Sequence, residues 1–473
     1  MRILLVEDEI AVATEIAQLL RDRCGAEVIV ARSRDSAVEV LEADQDFDLI
    51  VCDLRIPTSD GGLDVAEDHG FRVHDFAREH HPGVPSMFFS GFVTLDNVRR
   101  RLAEGPSVDL LGTGALWPIV DVRPKEQQPE FIARSVEIAA GLSDLDSLDV
   151  DFSGSTTLTT YQARPLRVYA RRLGGVRFSA SPLGGLSGAM VLRGEVVDAS
   201  QSSVGVVVAK IALVAEIADE LSRFRQHVAP VVEIGAFAPL AGEVLFGAGR
   251  FAAAFYSLAA KWNHDLFELV VADPDAAAAS VRRLKEALSV WRRTEVQSDL
   301  TIGELRSTRV RDDHLAPYLS ELDRMAWRDV EATTVSTRIA VQHGDLHGRN
   351  VLVDDDGEPL IIDYGDVGPA PAVLDPVTLE LSLLLHDEHP DLGGWPAADQ
   401  AEAWFDLDHY VEGAPIADLV RVCREWAFSV SDAPEEVAAV VYAHSVRQLK
   451  YSDTDKELAL AIAAAAARVI LRA

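Results

Sequence analysis

Five short apolar runs, each followed by an amphipathic segment, occupy the first 140 residues and constrain the fold more than any other feature. The apolar runs have the length of buried strands, and the segments between them have helical periodicity. The predicted strands are Ile3–Val6, Glu27–Ala31, Leu49–Cys52, Ser86–Phe89 and Ile119–Val122. The predicted helices include Ala11–Arg23, Arg34–Glu42, Gly62–Glu79, Leu95–Ala103 and Pro129–Ala140. This alternation predicts an α/β fold, a doubly wound five-stranded parallel sheet with helices on both faces.

The composition changes beyond residue 140, where the stretch GLSDLDSLDVDFSGSTTLTT begins. It is rich in Ser, Thr, Asp and Gly and lacks helical periodicity, so we predict a linker over residues 141–164. The sequence then looks rich in strands up to residue 260 and mainly helical from 275 on, apart from a β segment near 350–363. This order predicts an α+β domain at 165–473, with a small lobe at about 165–255 and a large helical lobe at about 256–473.

The net charge indicates which partners to expect, and the cysteines indicate the cellular compartment. The net charge is −32, from 76 acidic and 44 basic residues, and such a field repels nucleic acid and anionic membranes, so we expect neither as a partner. The three cysteines (Cys24, Cys52 and Cys423) are far apart without metal-ligand spacing, and the chain opens on a strand rather than a signal peptide. We therefore expect a cytoplasmic protein. The longest apolar run, Leu458–Leu471, is too short to span a bilayer and predicts a packed terminal helix.

Polar side chains follow the predicted parallel strands at the edge where doubly wound folds collect their functional residues. Glu7 and Asp8 follow the first strand, Asp53 the third, Ser90 ends the fourth and Lys125 follows the fifth. The three carboxylates could bind Mg²⁺, while the hydroxyl and the ammonium could contact the oxygens of a phosphoryl group on Asp53. Lysine is rare, with six lysines against 38 arginines, and Lys125 is the only one in the first 200 residues, so its position is informative.

This set of side chains resembles the response-regulator receiver family, which has a flavodoxin-like fold, over about residues 1–140. The resemblance implies that Asp53 is the phosphoacceptor and that Glu7 and Asp8 are the acidic metal pair. It also implies that Ser90 is the switch hydroxyl, that Lys125 senses the phosphate, and that a sensor histidine kinase is the phosphodonor. A receiver that keeps the fold but has lost phosphorylation is the alternative.

The sequence departs from the receiver pattern in its spacing. Ser90 lies 37 residues after Asp53, and Lys125 lies 35 residues after Ser90. The second interval holds an extra loop with Gly112, Gly114 and Trp117. Two further positions differ, since Glu126 stands where the family usually has proline and Val122 where an aromatic residue is common. We therefore expect a reshaped signalling face.

The second motif is HGDLHGRNVLVDDDGEPLIIDYGD, from His343 to Asp366. Phosphoryl transfer from ATP needs a carboxylate at the acceptor and oxygen ligands for the Mg²⁺ on the phosphates. Asp345 and Asn350 are five residues apart, and Asp363 follows Asn350 by thirteen. A loop that carries the first two, followed by a β-hairpin that ends at Asp363, supplies those groups.

Residues upstream of this motif could bind the nucleotide. A glycine-rich turn lies between two strand-like runs, where backbone amides can approach phosphates closely. Its candidate residues are Gly184, Gly185, Ser187 and Gly188. Lys210 ends an apolar strand, and its compact ammonium suits the α- and β-phosphates. The helix that follows offers Glu220 as the ion-pair partner of Lys210, with Glu216 as the alternative. This order of groups is that of kinases.

The catalytic loop resembles the aminoglycoside phosphotransferase family of kinase-like enzymes, over about residues 165–473. The resemblance rests on His343-Gly344-Asp345, His347, Asn350 and Ile361-Ile362-Asp363-Tyr364-Gly365-Asp366. It implies a two-lobed fold that uses ATP and Mg²⁺, with Asp345 as catalytic base, Asn350 and Asp363 as Mg²⁺ ligands, and Lys210 on the phosphates. It also implies that Asp375 is a structural aspartate that steadies the catalytic loop.

Two functions follow from these patterns. The first is a two-component response regulator in which phosphorylation of Asp53 controls an ATP-dependent phosphotransferase that acts on a small-molecule or protein hydroxyl. The second is a scaffold, a pseudokinase with a receiver, that binds nucleotide and partner proteins without catalysis. The sequence does not identify the phosphoryl acceptor, because fold does not determine substrate.

Overall fold

The computed structural model describes residues 1–43, 46–91, 106–155, 157–183, 189–259, 261–431 and 433–472. The chain forms two compact units. The first consists of Met1–Asp219 with Leu240–Leu258, and the second of Glu220–Pro239 with Ala259–Ala473. The helix predicted at Leu95–Ala103 lies outside the described residues, as do Gly184, Gly185, Ser187 and Gly188 of the predicted glycine-rich turn.

A five-stranded parallel sheet opens the first unit, in the order β2-β1-β3-β4-β7. Its strands are β1 (Arg2–Val6), β2 (Glu27–Ala31), β3 (Leu49–Cys52), β4 (Ser86–Ser90) and β7 (Val120–Pro124). Its helices are α1 (Ile10–Cys24), α2 (Arg34–Glu42), α3 (Glu67–His80) and α4 (Gln128–Asp146). Side chains of α1 and α4 pack on one face and those of α2 and α3 on the other. The predicted doubly wound sheet is confirmed.

The register of this sheet brings the candidate residues to one edge. Val6, the last residue of β1, lies opposite Cys52, the last residue of β3. The residues that follow these two strands are therefore neighbours in space. Ser90, the last residue of β4, lies opposite Pro124, which immediately precedes Lys125.

A six-stranded sheet completes the first unit, in the order β12-β13-β11-β10-β9-β8. Its strands are β8 (Asp149–Phe152), β9 (Arg177–Pro182), β10 (Met190–Val197), β11 (Ser203–Leu213), β12 (Leu240–Val244) and β13 (Phe251–Ser257). The edge strand β8 runs parallel to β9, and the other pairs are antiparallel. Helix α5 (Thr160–Arg172) packs on this sheet, in a part of the chain where the sequence predicted strands.

Residues 141–164, predicted as a linker, hold the end of α4, strand β8 and the start of α5. The polar residues that suggested a loop have structural roles. The Thr159 side chain caps α5 by accepting a hydrogen bond from the Gln162 amide, and Asp146 pairs with Arg164. Leu142 of α4 is buried. The polar composition of this segment therefore did not reveal the end of α4, strand β8 and the start of α5.

Helix α4 and the insertion that follows Ser90 share one hydrophobic core with the six-stranded sheet. The extra loop between Ser90 and Lys125 forms the small antiparallel pair β5 (Ser107–Val108) and β6 (Trp117–Pro118). Buried residues of this insertion, of α4, of α5 and of the six-stranded sheet form a single cluster. Among its members are Leu110, Leu111, Trp117, Ile138, Leu142, Leu166, Tyr169, Phe178, Leu192 and Phe255. The insertion thus builds the contact between the five-stranded and six-stranded sheets.

A buried ion network reinforces this contact. The guanidinium of Arg164 pairs with Asp48, which precedes β3, and with Asp146 at the end of α4, 3.1 Å away. The side chains of Arg164 and Asp48 are only 3% and 2% exposed. Nearby, Arg250 pairs with Asp46 at 3.2 Å. These pairs join the loop before β3 to the six-stranded sheet and its helix.

The second unit is mainly helical and carries two three-stranded sheets, β14-β17-β18 and β15-β16-β19. The strands are β14 (His264–Asp265), β15 (Val296–Thr301), β16 (Thr334–Gln342), β17 (Val351–Val353), β18 (Pro359–Ile361) and β19 (Gly368–Pro371). Strands β17 and β18 form the predicted hairpin, whereas the sheet β15-β16-β19 was not predicted.

Helix α6 (Val214–Arg223) continues from the first unit into the second. The described helices that follow it are α7 (Leu266–Ala272), α8 (Pro274–Leu288), α9 (Ile302–Ser307), α10 (Asp312–Leu315), α11 (Leu319–Arg324), α12 (Trp327–Ala332), α13 (Leu374–Leu385), α14 (Ala398–Glu402), α15 (Leu407–Tyr410), α16 (Ala417–Ser429), α17 (Pro434–Gln448) and α18 (Lys456–Ile470). The apolar C-terminal run lies in α18 and at its end, and within the described ranges no helix has both the length and the apolar character of a membrane span.

Replacing Arg164 should destabilise the first unit strongly. Arg164→Met leaves the buried Asp48 carboxylate with the more distant N-terminal ammonium, at 3.9 Å, and breaking a buried pair in this way costs about 3–5 kcal/mol. Arg167→Met on the same helix removes a 3.4 Å pair with the partly exposed Asp146 and a 2.9 Å hydrogen bond to the Leu148 carbonyl, and it should cost less, about 1–2 kcal/mol. Urea unfolding of the full chain measures both free energies. Equal effects of the two substitutions would contradict the importance of the buried network.

Candidate functional site

Three carboxylates meet at the carboxyl edge of the five-stranded sheet. Glu7 and Asp8 follow β1, and Asp53 follows the adjacent strand β3. One oxygen from each lies within 4.8 Å of the others. Glu7 and Asp53 are buried, while Asp8 is partly exposed. The donor set is the hard-oxygen type that suits Mg²⁺, so the residues present fit the predicted metal site.

Lys125 is the cation of this edge. It begins a short 3₁₀ turn (Lys125–Gln127) directly after β7. Its Nζ lies 2.7 Å from Oε2 of Glu7 and 2.6 Å from Oδ2 of Asp53. Burial acts to lower the pKa of Lys125, but its hydrogen bonds to Asp53 and Glu7 outweigh burial, so the pKa is raised. Burial raises the pKa of Glu7 to about 7, although Lys125 opposes that shift.

Ser90 supplies an unpaired hydroxyl beside this cluster. Its side chain is fully buried, and its Oγ has no hydrogen-bond partner among the described residues. A buried hydroxyl without a partner costs about 1–3 kcal/mol, so its presence points to a ligand oxygen that it would contact. Because Ser90 pairs in register with Pro124, it lies next to Lys125. The structure therefore brings together all five predicted residues at one edge.

The predicted catalytic loop of the second unit is held by Asp375, the residue that the resemblance implies would steady it. The two carboxylate oxygens of Asp375 accept hydrogen bonds from the backbone amides of His343, at 2.7 Å, and Gly344, at 3.0 Å. Gly344 has a φ of +84°, and a Cβ there would lie 2.4 Å from the carbonyl oxygen of Asp366. Only glycine fits at this position. The loop therefore has one fixed conformation that presents the next residue, Asp345.

Asp345, Asn350 and Asp363 converge through backbone and side-chain hydrogen bonds. The amide nitrogen of Asn350 donates to the carbonyl oxygen of Asp345 at 2.9 Å. The backbone amide of Ile362 donates to the carbonyl oxygen of Asn350 at 3.1 Å, which places Asp363 beside it. Asp363 has a φ of +63°, an unusual conformation for a residue with a side chain. With its amide nitrogen engaged, Asn350 keeps its amide oxygen for a cation, so these residues also fit Mg²⁺.

Two arginines beside Asp345 were missed by the sequence analysis. Nη1 of Arg447, at the end of α17, lies 3.1 Å from Oδ1 of Asp345, and Nη2 of Arg309 donates to the Gly344 carbonyl at 2.8 Å. Burial acts to raise the pKa of Asp345, but Arg447, His347 and Arg309 outweigh it, so the pKa lies well below its usual range. Arg447 is 102 residues from Asp345 in sequence and belongs to no motif, so no local signal marks it.

The candidate nucleotide residues occupy ordered strands and helices. Lys210 lies in β11 between Val191 of β10 and Ala254 of β13, and it is 9% exposed. Of the two candidate partners on α6, Glu220 is buried and Glu216 is exposed, which favours Glu220. The pairing of Lys210 with Glu220 stays a prediction.

Family models match both parts of the chain. The response regulator receiver domain matches residues 3–105, and the phosphotransferase enzyme family matches residues 212–390. Residues 3–105 are therefore similar to receiver domains, and residues 212–390 are similar to the phosphotransferase enzyme family. Both matches leave out a predicted lysine, since the receiver match ends before Lys125 and the phosphotransferase match begins after Lys210.

Solved receiver domains are similar to the first part of the chain. A Francisella response regulator receiver domain has 18% identity and a TM-score of 0.23, with 29% of this chain and 96% of that chain covered. A receiver domain protein from Methanospirillum hungatei has 20% identity and a TM-score of 0.22, with 29% and 95% covered. A receiver domain protein from Clostridium thermocellum has 19% identity and a TM-score of 0.23, with 30% and 97% covered. Such scores carry no argument about activity. No curated protein matches the chain.

Proposed function

We propose that this protein is a two-component response regulator whose receiver, phosphorylated on Asp53, controls an ATP-dependent phosphotransferase. In this proposal residues 1–140 receive the signal and residues 165–473 carry the transfer activity. The observation that carries the proposal is the assembly of Asp53 with two further carboxylates, the Lys125 ammonium and the unpaired Ser90 hydroxyl. The phosphodonor is a sensor histidine kinase. The three cysteines are free thiols, which supports a reducing cytoplasm.

At the receiver site, an oxygen of the Asp53 carboxylate attacks the phosphorus of a phosphohistidine. The bond from phosphorus to the histidine nitrogen breaks as the acyl phosphate forms. Mg²⁺ held by Glu7, Asp8 and Asp53 would neutralise charge on the phosphoryl oxygens. Lys125 and the Ser90 hydroxyl then contact those oxygens. Since Lys125 bridges Glu7 and Asp53 in the unphosphorylated chain, the new phosphoryl group changes the partners of that ammonium.

At the phosphotransferase site, Asp345 orients the acceptor hydroxyl and takes its proton as the hydroxyl oxygen attacks the γ-phosphorus of ATP. The bond to ADP breaks in the same step. Asn350 and Asp363 would hold the Mg²⁺ that neutralises the phosphates. Lys210, Glu220 and the turn that contains Gly184, Gly185, Ser187 and Gly188 are the proposed nucleotide-binding residues. The acceptor is a small-molecule or protein hydroxyl.

Coupling between the two activities has a physical basis within the first unit. The strand that carries Lys210 belongs to the six-stranded sheet, which shares its core with the insertion at 106–118 and with α4. The insertion lies between the switch residue Ser90 and Lys125, and α4 begins three residues after Lys125. A phosphorylation-dependent change at either residue would therefore reach the packing of that sheet.

The scaffold function remains the second candidate because of one observation. Arg447 pairs with Asp345, and this pair holds the pKa of the proposed base low, which weakens Asp345 as a proton acceptor. A protein that binds nucleotide without turnover would tolerate this pair. An enzyme would use it to keep Asp345 ionised and oriented.

Phosphorylation of Asp53 is directly testable. Acetyl phosphate with Mg²⁺ should add one phosphate to the full chain, because the carboxylate, metal ligands and ammonium are already in place. Intact-mass spectrometry measures the addition. Asp53→Asn should abolish it and Asp8→Asn should slow it, whereas Glu9→Gln, at the exposed neighbouring position, should leave it unchanged. An added phosphate that survives Asp53→Asn would overturn the assignment.

The ion pair between Arg447 and Asp345 should determine the pH below which phosphotransferase activity falls. Arg447→Met removes the strongest opposition to burial, so the pKa of Asp345 should rise and the acidic limb of the rate profile should move up by about one to three pH units. Arg447→Lys retains the charge and should move it less. ADP release from MgATP across pH measures the limb. An unmoved limb in Arg447→Met would show that Asp345 does not act as the base.

A further inference from the structure

A cavity of about 250 Å³ lies beside the catalytic loop, within the second unit. Most of its wall is apolar and comes from β15, β16, β19, α9, the start of α13 and α17. The wall includes Thr308, Arg309, Gly344, Asp366, Val440 and Ala443. A largely apolar cavity with a few polar groups at one end is the usual form of a small-molecule site.

The cavity leads to Asp345. Gly344, which precedes Asp345, is part of the wall. On α17, Val440 and Ala443 face the cavity, and Arg447 lies four residues further on, so the three share one face of the helix. Arg447 contacts the Asp345 carboxylate at 3.1 Å. One helix face therefore runs from the cavity to the proposed base.

The charges of the wall exclude a polycation. Its carboxylate among the described lining residues is that of Asp366, which is exposed, and its cation is Arg309. The Nε of Arg309 is buried without a hydrogen-bond partner in the described part of the chain, so it is available to a ligand oxygen. Burial holds the pKa of His444, also in the wall, well below its usual value, so His444 is neutral. A polycation that entered this cavity would meet that one exposed carboxylate among the described lining residues, and its further ammonium groups would lose their hydration without an anionic partner.

We propose that this cavity holds the body of the phosphoryl acceptor and that the acceptor is a compact, mostly apolar alcohol that is uncharged or anionic. The inference rests on the proposed transferase function and deepens it, because it gives the acceptor a chemical class. The apolar body lies against the wall, and the hydroxyl extends along α17 to Asp345. That carboxylate takes the hydroxyl proton as the oxygen bonds to the γ-phosphorus and ADP departs.

Two neighbouring residues provide a matched test. Thr308 lines the cavity and is exposed, so Thr308→Phe should fill its entrance without disturbing the core. Ser307 is also exposed and does not line the cavity. Each hydroxyl donates to the backbone carbonyl three residues earlier, Thr308 to Leu305 at 2.7 Å and Ser307 to Glu304 at 2.9 Å. Ser307→Phe therefore loses the same kind of bond and gains the same ring outside the cavity.

The experiment measures binding of benzyl alcohol, 1-hexanol and kanamycin to the full chain by ligand-observed NMR without nucleotide. ADP release with MgATP is then measured for each alcohol. Benzyl alcohol or 1-hexanol should bind the native chain and Ser307→Phe, and Thr308→Phe should weaken that binding by about tenfold, which is the effect of losing about 1.4 kcal/mol of apolar burial. Kanamycin, a polycationic alcohol, should show no binding that responds to Thr308→Phe.

Alcohol binding and ADP release test the cavity assignment and the transferase function separately. Binding that Thr308→Phe weakens, without ADP release, supports the cavity and contradicts the transferase function. ADP release stimulated by benzyl alcohol and unchanged in Thr308→Phe supports the function and overturns the cavity assignment. Absence of binding by both apolar alcohols, or a preference for kanamycin, also overturns it.

Discussion

The buried guanidinium of Arg164 is the interaction on which the first unit depends. It pairs with Asp48 in the loop before β3 and with Asp146 at the end of α4, while its own helix packs on the six-stranded sheet. The loop before β3, the end of α4 and helix α5 therefore meet at the guanidinium of Arg164. A buried pair of this kind adds little net stability over apolar packing, but it penalises any arrangement in which the partners separate. The receiver is therefore fixed to the sheet that carries Lys210 rather than tethered by a flexible connection.

The permanent contact between the receiver part and the six-stranded sheet determines how a signal can pass between them. A receiver on a flexible linker would signal by docking and release, whereas here the insertion and α4 share a hydrophobic core with the six-stranded sheet. The insertion that departs from the usual receiver spacing supplies Leu110, Leu111 and Trp117 to that core. In our account, phosphorylation alters the packing of a permanent interface, and the proposed output follows from that alteration. The proposed acceptor cavity lies in the other unit, so regulation and acceptor choice rest on different residues.

The parts that the sequence predicted well share a physical cause. Parallel strands that are buried on both faces read as continuous apolar runs, and the five receiver strands were located to within about two residues. The hairpin before Asp363 was recognised from its turn. By contrast, β15 has the polar sequence VQSDLT, so its pairing with β16 left no apolar signal. Residues 141–164 resembled a loop because their polar side chains cap and pair ordered elements.

The contacts that Arg447 and Arg309 make with Asp345 and its loop could not be predicted from the sequence. Arg447 and Arg309 reach Asp345 and its loop only through the packing of α17 and the segment after α9, which no local pattern encodes.

Hydrogen exchange of the full chain, before and after phosphorylation with acetyl phosphate, tests whether Asp53 communicates with the six-stranded sheet through the shared core. We expect altered exchange in the insertion at 106–118 and in β11, and no such change in Asp53→Asn. Changes confined to residues 1–91 would contradict it.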